Sequence, residues 1–311
     1  MGVIYVADTF NNRICKWSTA SGGSPLAVYG GRLAPRSGSP ASGWFDRPHC
    51  TAVDSSGNVY VADTYNSRIQ KFTSSGVFVA AWGSQGTGIG QFDCPQGVAV
   101  ASDGSIYVAD TENNRIQKLD SSGGYLMKWN SAGTGNGSLK GPSGIAIDSS
   151  GNVFVADRLN HRVLKFDSAG QFLLLIGSHG SMNGQFEQPS DVAVDSSGNI
   201  YVADWGNHRV QKFGPSGNFI WSVGAFAGGL VNFSHPRGVC VDSTGNVLVA
   251  DTENHRVQVL SPSGTLIGSF GAMGSGDGQF RQPWDVVVGT SGSVYVTDRS
   301  NARVQKFTYT P

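Results

Sequence analysis

The chain has no excess of charge of either sign. Across 311 residues, 22 Lys and Arg balance 22 Asp and Glu, and charged residues make up only 14% of the sequence. A neutral chain has no global field to draw it towards a polyanion or a charged membrane surface, so no DNA partner is expected. No apolar run approaches the length of a bilayer span, which removes membrane insertion by a helix. Cysteine is scarce. Cys15, Cys50, Cys94 and Cys240 fit no zinc or redox spacing and read as free thiols, with a Cys50–Cys94 bridge as the alternative. A 3.6-residue apolar period is missing throughout, so amphipathic helices are not the building block. No targeting segment is visible, and the compartment stays open. Residues Met1 to Tyr5 align in register with Ser56 to Tyr60, so the chain starts inside a hairpin turn and an upstream strand is expected.

What the sequence has is glycine, 44 residues of it, at recurring offsets around a repeated core. Val59-Tyr60-Val61-Ala62-Asp63, followed by Asn66 and Arg68, returns every 47 residues, ending at Asp110, Asp157, Asp204, Asp251 and Asp298. An earlier copy ends at Asp8, and every copy carries Asn three and Arg five residues after its Asp. A fixed period of this size marks a repeat architecture. The chain divides into a partial repeat 1–47, full repeats 48–94, 95–141, 142–188, 189–235 and 236–282, and a partial repeat 283–311, all within one domain.

One repeat shows the plan. Asp191 to Asp195 is a short apolar strand, and Ser196-Ser197-Gly198-Asn199 is a turn sequence with residues suited to positive φ. Ile200 to Ala203 is a second strand ending at Asp204, Arg209 to Phe213 a third with alternating apolar residues, and Asn218 to Val223 a fourth. A Gly-rich connection then leads through Phe233 to Pro236. Four short antiparallel strands at this period are a blade, and the fold class is an all-β propeller of four-stranded antiparallel blades. Counting first to fourth strands over the chain gives six, seven, seven and six. Blade number is therefore six or seven, with seven slightly favoured, and the N-terminal strands should lie beside the last repeat.

The Gly-rich connections precede a proline and a strand rather than a helix N-terminus, so they are not phosphate loops. Their apolar ends (Phe45, Phe92, Leu139, Phe186, Phe233, Phe280) read as plugs between blades. The pairs Asp63 with Arg68, Asp110 with Arg115, Asp157 with Arg162, Asp204 with Arg209, Asp251 with Arg256 and Asp298 with Arg303 recur in every copy and read as scaffold. A strand-end Asp accepts turn amides, and an Arg starting the partner strand can pair with it.

These residues resemble the NHL-repeat family. The resemblance is carried by Gly97-Val98-Ala99-Val100, Asp103-Gly104, Ile106-Tyr107-Val108-Ala109-Asp110 and Asn113-Asn114-Arg115-Ile116-Gln117-Lys118, with an Asn-His-Arg version at Arg162, Arg209 and Arg256. It covers essentially the whole chain. It implies an NHL-type propeller, and a family that includes protein-binding and RNA-binding propellers, extracellular sensor domains and a few enzymes, so fold alone does not choose.

Repeats also act as an internal control, because positions that differ between copies are available for recognition. In a propeller, the connections into first strands share one face with the turns between second and third strands. The residue after each proline reads His49, Gln96, Ser143, Ser190, Arg237 and Trp284, and the turns offer Tyr65, Arg158, Trp205 and Arg299. Aromatics and arginines at an open channel mouth suit binding, and Tyr65, Arg158, Trp205, Arg237, Trp284 and Arg299 are the candidate contact residues. The arginines outside the repeat pairs (Arg32, Arg36, Arg47, Arg158, Arg237, Arg281, Arg299) and Lys140 meet about as many carboxylates on this face, Asp191, Asp277 and Asp285 among them. A mixed surface suits a protein or peptide better than RNA, whose recognition needs net positive charge, although Trp284 between Arg237 and Arg299 makes local RNA stacking the alternative. His161, His208 and His255 share one repeat offset and so lie too far apart to share a metal, and no Ser/His/Asp set stands apart from the repeat. The expectation is a chain that is not an enzyme, with no cofactor and no metal, serving as an interaction platform. The alternatives are an RNA-binding propeller, a sensor domain of a larger receptor, which the sequons at Asn136 and Asn232 would suit, and a metal-dependent lyase.

Overall fold

The structure, a computed structural model, describes residues 6–8, 13–17, 25–30, 42–43, 45–46, 48–73, 77–129, 133, 135–224, 231–274, 278–288, 293–298 and 303–308. In the first three and last two of these segments it describes strand pairing alone.

Seven antiparallel sheets follow one another along the chain. The first has three strands, β1 (Val6–Asp8), β2 (Arg13–Trp17) and β3 (Pro25–Gly30). Five four-stranded sheets follow: β4 (Thr51–Val53), β5 (Val59–Asp63), β6 (Arg68–Phe72) and β7 (Phe78–Trp82); β8 (Gly97–Val100), β9 (Ile106–Asp110), β10 (Arg115–Leu119) and β11 (Tyr125–Trp129); β12 (Pro142–Ile147), β13 (Val153–Asp157), β14 (Arg162–Phe166) and β15 (Phe172–Ile176); β16 (Asp191–Val194), β17 (Ile200–Asp204), β18 (Arg209–Phe213) and β19 (Phe219–Gly224); and β20 (Pro236–Val241), β21 (Val247–Asp251), β22 (Arg256–Leu260) and β23 (Leu266–Phe270). The last sheet has three, β24 (Pro283–Val288), β25 (Ser293–Asp298) and β26 (Arg303–Thr308).

The fold is an all-β propeller of four-stranded antiparallel blades, and the blade count is a correction. Five complete blades are present among the described residues, not six or seven. The reason is that an Asp–Arg hairpin supplies only the middle two strands of a blade. Among the described residues the first hairpin, β1–β2, gains an outer strand but no inner one, and the last, β25–β26, gains an inner strand but no outer one. The strand total expected from the repeat is nonetheless met among the described residues. β1 packs against β25 and β26, which brings the two partial sheets together as expected.

Burial follows position in the blade. Every residue of β5, β9, β13, β17 and β21 is buried, because both faces of a second strand are covered by neighbouring blades. The outer strands β7 and β23 alternate half-buried and exposed positions instead. Four of the core clusters each join two successive blades. Tyr60, Ala62 and Ile69 of one pack with Val98, Ile106 and Val108 of the next, and Phe92 lies between them. The plug residues Phe45, Phe92, Leu139, Phe186, Phe233 and Phe280 are at most 2% exposed, as that role requires.

Turns on the uniform face are held by aspartate. Asp195 Oδ1 accepts the amides of Ser197 and Asn199 at 2.9 Å each, and Oδ2 accepts Asn199 Nδ2 at 2.8 Å. Partial burial works against the ionised form, yet these bonds hold the Asp195 carboxyl below its ordinary range.

Candidate functional site

The other face is stitched together by the recurring residues. Arg68, Arg115, Arg162, Arg209 and Arg256 each place Nε 2.6–2.7 Å from Oδ2 of Asp63, Asp110, Asp157, Asp204 and Asp251. Around Asp110 the full pattern is visible. Its Oδ1 accepts the Asp93 amide at 2.7 Å, and its Oδ2 accepts Gln117 Nε2 at 3.0 Å. Arg115 donates onward to the carbonyls of Thr87, Gly88 and Gln91. The module thus clamps the Gly-rich connection onto the hairpin. Burial pushes the Asp63, Asp157 and Asp204 carboxyls up, against the opposing pull of their arginines and donated bonds. For Asp298 and Arg303 the structure describes the strand register, in which they are partners, and no side chains.

Short 3-10 turns join the second and third strands in four blades, a local structure the sequence reading did not foresee. Each turn is bonded to the connection entering its blade, for example Leu159 N to Lys140 O at 3.0 Å and Gly206 N to Glu187 O at 2.8 Å. That places turns and connections on one face, as the topology demands. His161, His208 and His255 end these turns in the left-handed region. Their Nδ1 atoms accept the amides of Gln188, His235 and Gln282 at 2.9–3.1 Å, tying each turn to the following connection.

On this face the channel opens as a cleft. All six residues after the prolines line it: His49, Gln96, Ser143, Ser190, Arg237 and Trp284. Arg158 and Trp205 reach in from the turns. They form an alternating stack. Arg158 Cζ and Arg237 Cζ each lie 5.6 Å from the Trp205 ring centroid, and Arg237 Cζ lies 3.7 Å from that of Trp284. The His49 ring is edge-on to Trp284 at 5.9 Å, which joins the first and last inner strands of the channel, β4 and β24. Burial lowers the basicity of Arg158, which also donates to Gln188 Oε1 at 3.1 Å.

Four of the six candidate contact residues, Arg158, Trp205, Arg237 and Trp284, are therefore brought together. Tyr65 is 52% exposed and does not line the cleft. Arg299 lies outside the described residues, as do Arg32, Arg36, Arg47 and Asp277. Cys50, Cys94 and Cys240 are free thiols, so the alternative Cys50–Cys94 bridge is not formed.

The floor holds residues that sequence reasoning counted only as surface charge. Two positions after the prolines stand Cys50, Gly97, Gly144, Asp191, Gly238 and Asp285. Asp191 and Asp285 line both the cleft and the channel beneath it. The glycines make room for them: a Cβ on Gly144 would lie 2.2 Å from Asp191 Oδ1, and one on Gly238 2.7 Å from Asp285 Oδ1. Enclosure in the channel and repulsion from Asp285 push Asp191 up to about 8, against amide bonds from Val239 and Val192. Enclosure pushes Asp285 up to about 6, and Cys50, enclosed near both carboxylates, up to about 12. Enclosure and mutual repulsion thus both favour the protonated form on this floor. The signal was present in the alternation of Gly and Asp at one repeat offset.

The repeated blades, the channel and the variable mouth define a propeller whose scaffold is one repeated unit. The NHL repeat pattern matches residues 45–72, 92–119, 139–166, 186–213, 233–260 and 280–307, more than half the sequence, and the chain belongs to the NHL repeat family. No curated protein sequence matches it. Among solved structures it is similar to a streptogramin B lyase, with a TM-score of 0.69 and 13% identity, covering 98% of this chain and 89% of that one. It is also similar to a chain of a nidogen–laminin complex (TM-score 0.61, 16% identity, 86% and 92% covered). A third likeness is to a gluconolactonase from Xanthomonas campestris (TM-score 0.58, 14% identity, 83% and 84% covered). At these identities the likeness shows the fold. It also corrects the expectation that the chain is not an enzyme, because this architecture is one on which lyase and lactonase activities occur. That expectation rested on the histidines not converging and on the lack of a Ser/His/Asp set apart from the repeat, and it counted Asp191 and Asp285 only as surface charge. Among the described residues, no helix is long and apolar enough to cross a membrane.

Proposed function

We propose that the channel mouth is the recognition site of an interaction platform that takes an extended segment of a protein or peptide partner. The observation that supports this reading most is the stack of Arg158, Trp205, Arg237 and Trp284 along one rim. Stacking fixes the rotamers of long side chains before a partner arrives, which reduces the ordering cost of binding. Indole faces then serve as anchors and guanidinium groups as orienting charges for a carboxylate on the partner. Tyr65, exposed beyond the rim, and Arg299 extend the contact surface in this reading. RNA is the weaker reading, since Arg237 already covers a face of Trp284 and the chain carries no net charge.

The test is selection from a displayed peptide library on the intact chain, followed by affinity measurement of the selected peptide. An Arg237→Ala, Trp284→Ala double variant is expected to bind at least about tenfold more weakly, the loss typical of interface anchors. Undiminished affinity in a folded double variant would refute the proposal. Binding of single-stranded RNA that falls steeply with salt, in place of peptide, would establish the other reading.

A further inference from the structure

We propose that His161, His179 and Glu187 form a binding site for one divalent transition-metal ion of the zinc class, outside the channel mouth and independent of the reading above. The geometry comes first. His179 Nε2 lies 2.7 Å from Glu187 Oε2, and His161 Nδ1 lies 3.5 Å from Glu187 Oε1. One ligand atom from each residue falls within a mutual span of 4.8 Å, and the two imidazole rings sit 4.3 Å apart. Zinc bonds of about 2.0–2.2 Å to nitrogen and oxygen need tetrahedral ligand atoms roughly 3.3–3.5 Å apart. Small side-chain rotations close that gap. Two imidazoles and one carboxylate are the donor set that suits zinc and its neighbours rather than calcium or magnesium, which take oxygen alone.

The repeat supplies the second argument. A histidine at the His161 position has a scaffold role, since His208 and His255 occupy the same offset and accept the same amide bond. Asn114 serves equally well one repeat earlier, its Oδ1 accepting the Gly141 amide at 2.8 Å. The scaffold has no such use for the other two residues. The offset of His179 is filled by Gln85, Ala132, Phe226 and Met273, and that of Glu187 by Asp46, Asp93, Lys140, Ser234 and Arg281, so a carboxylate recurs at the second offset while a histidine at the first does not. Only repeat 142–188 combines all three. The offset rule that separates His161, His208 and His255 does not apply to His179, which reaches His161 from the outgoing connection of the same repeat.

Ligation has a defined local consequence. His161 Nδ1 faces Glu187 and now accepts the Gln188 amide at 3.1 Å. A metal on Nδ1 takes that lone pair, so occupancy exchanges one backbone hydrogen bond for a metal bond. Glu187 and Gln188 also hold the Trp205 turn and Arg158, through Gly206 N at 2.8 Å and Arg158 Nη2 at 3.1 Å.

The experiment is calorimetric titration of the intact chain with Zn2+, paired with Co2+ absorption to report nitrogen ligation. One ion per chain is expected. His179→Ala, Glu187→Gln and His161→Asn should each weaken binding about tenfold or more, the loss expected when one ligand of a metal site is removed or its support disturbed. His161→Asn keeps the turn that Asn114 forms naturally, and the His179 side chain is 68% exposed, so both variants are expected to fold. His255→Asn is the control and should bind as the unaltered chain does. Absence of stoichiometric zinc binding, unchanged affinity in His179→Ala, or an equal loss in His255→Asn would each overturn the site.

Discussion

The Asp110 carboxylate gathers donors from three side chains and one backbone amide: Asn113, Arg115, Gln117 and Asp93. It is fully buried and Arg115 nearly so. Replacing Asp110 by Asn keeps the shape but leaves a buried guanidinium uncompensated. Breaking such a pair costs about 3–5 kcal/mol, so Asp110→Asn should lower stability by that order in denaturant titration. A variant within about 1 kcal/mol of the unaltered chain would show that solvent reaches Arg115. This role was readable from recurrence alone, because a residue kept in every copy serves every copy. Its partners in the Gly-rich connection were not readable, since the carbonyls of Thr87, Gly88 and Gln91 carry no signature in side-chain chemistry.

The Gly-rich connections are elements in their own right, and two of their glycines separate backbone cost from packing cost. Gly177 and Gly184 have φ of +82° and +80°, a region where any Cβ is strained. A Cβ at Gly177 would also lie 2.3 Å from the Phe186 ring, whereas one at Gly184 meets nothing within 4 Å. Gly184→Ala should therefore cost about 1–2 kcal/mol, and Gly177→Ala clearly more, because the plug must move as well. Thermal unfolding of the two variants makes the comparison, and equal losses would count against the plug. Removing the plug itself, Phe186→Ala, should cost about 3–5 kcal/mol, since the ring is fully buried between two blades.

At the scale of the molecule, ring closure brings Asp191 and Asp285 together from inner strands separated by a whole blade. Both folded-state values lie above the ordinary carboxyl range, Asp191 at about 8 and Asp285 at about 6. The folded chain then holds protons that the unfolded chain releases. The stability these groups contribute is present below the ordinary value of 3.8 and is lost as pH rises through about 6 and then about 8. Melting temperature should fall as pH is raised across that window, and Asp191→Asn should flatten the upper part of the slope. A melting temperature that rises from about pH 6 to about pH 8, or a slope unchanged in Asp191→Asn, would show that the two carboxyls do not share an enclosed floor. Burial alone would raise one carboxyl, and the mutual repulsion exists only because the inner strands form a ring.

The sequence by itself determined the repeat, the strand total, the plugs, the Asp–Arg scaffold and the two faces. All of these follow from short-range periodicity and turn chemistry, which each copy states again. It also pointed to Arg158, Trp205, Arg237 and Trp284, because departures from a repeat are visible without coordinates. Only the tertiary structure decided that five blades are complete among the described residues, since a hairpin becomes a blade through strands that pair beside it. Only the structure stacked those four side chains into one rim, set Asp191 against Asp285, and placed His179 beside His161 and Glu187. Those contacts join different blades, or distant points of one repeat, and distances across a ring depend on how the ring closes rather than on spacing along the chain.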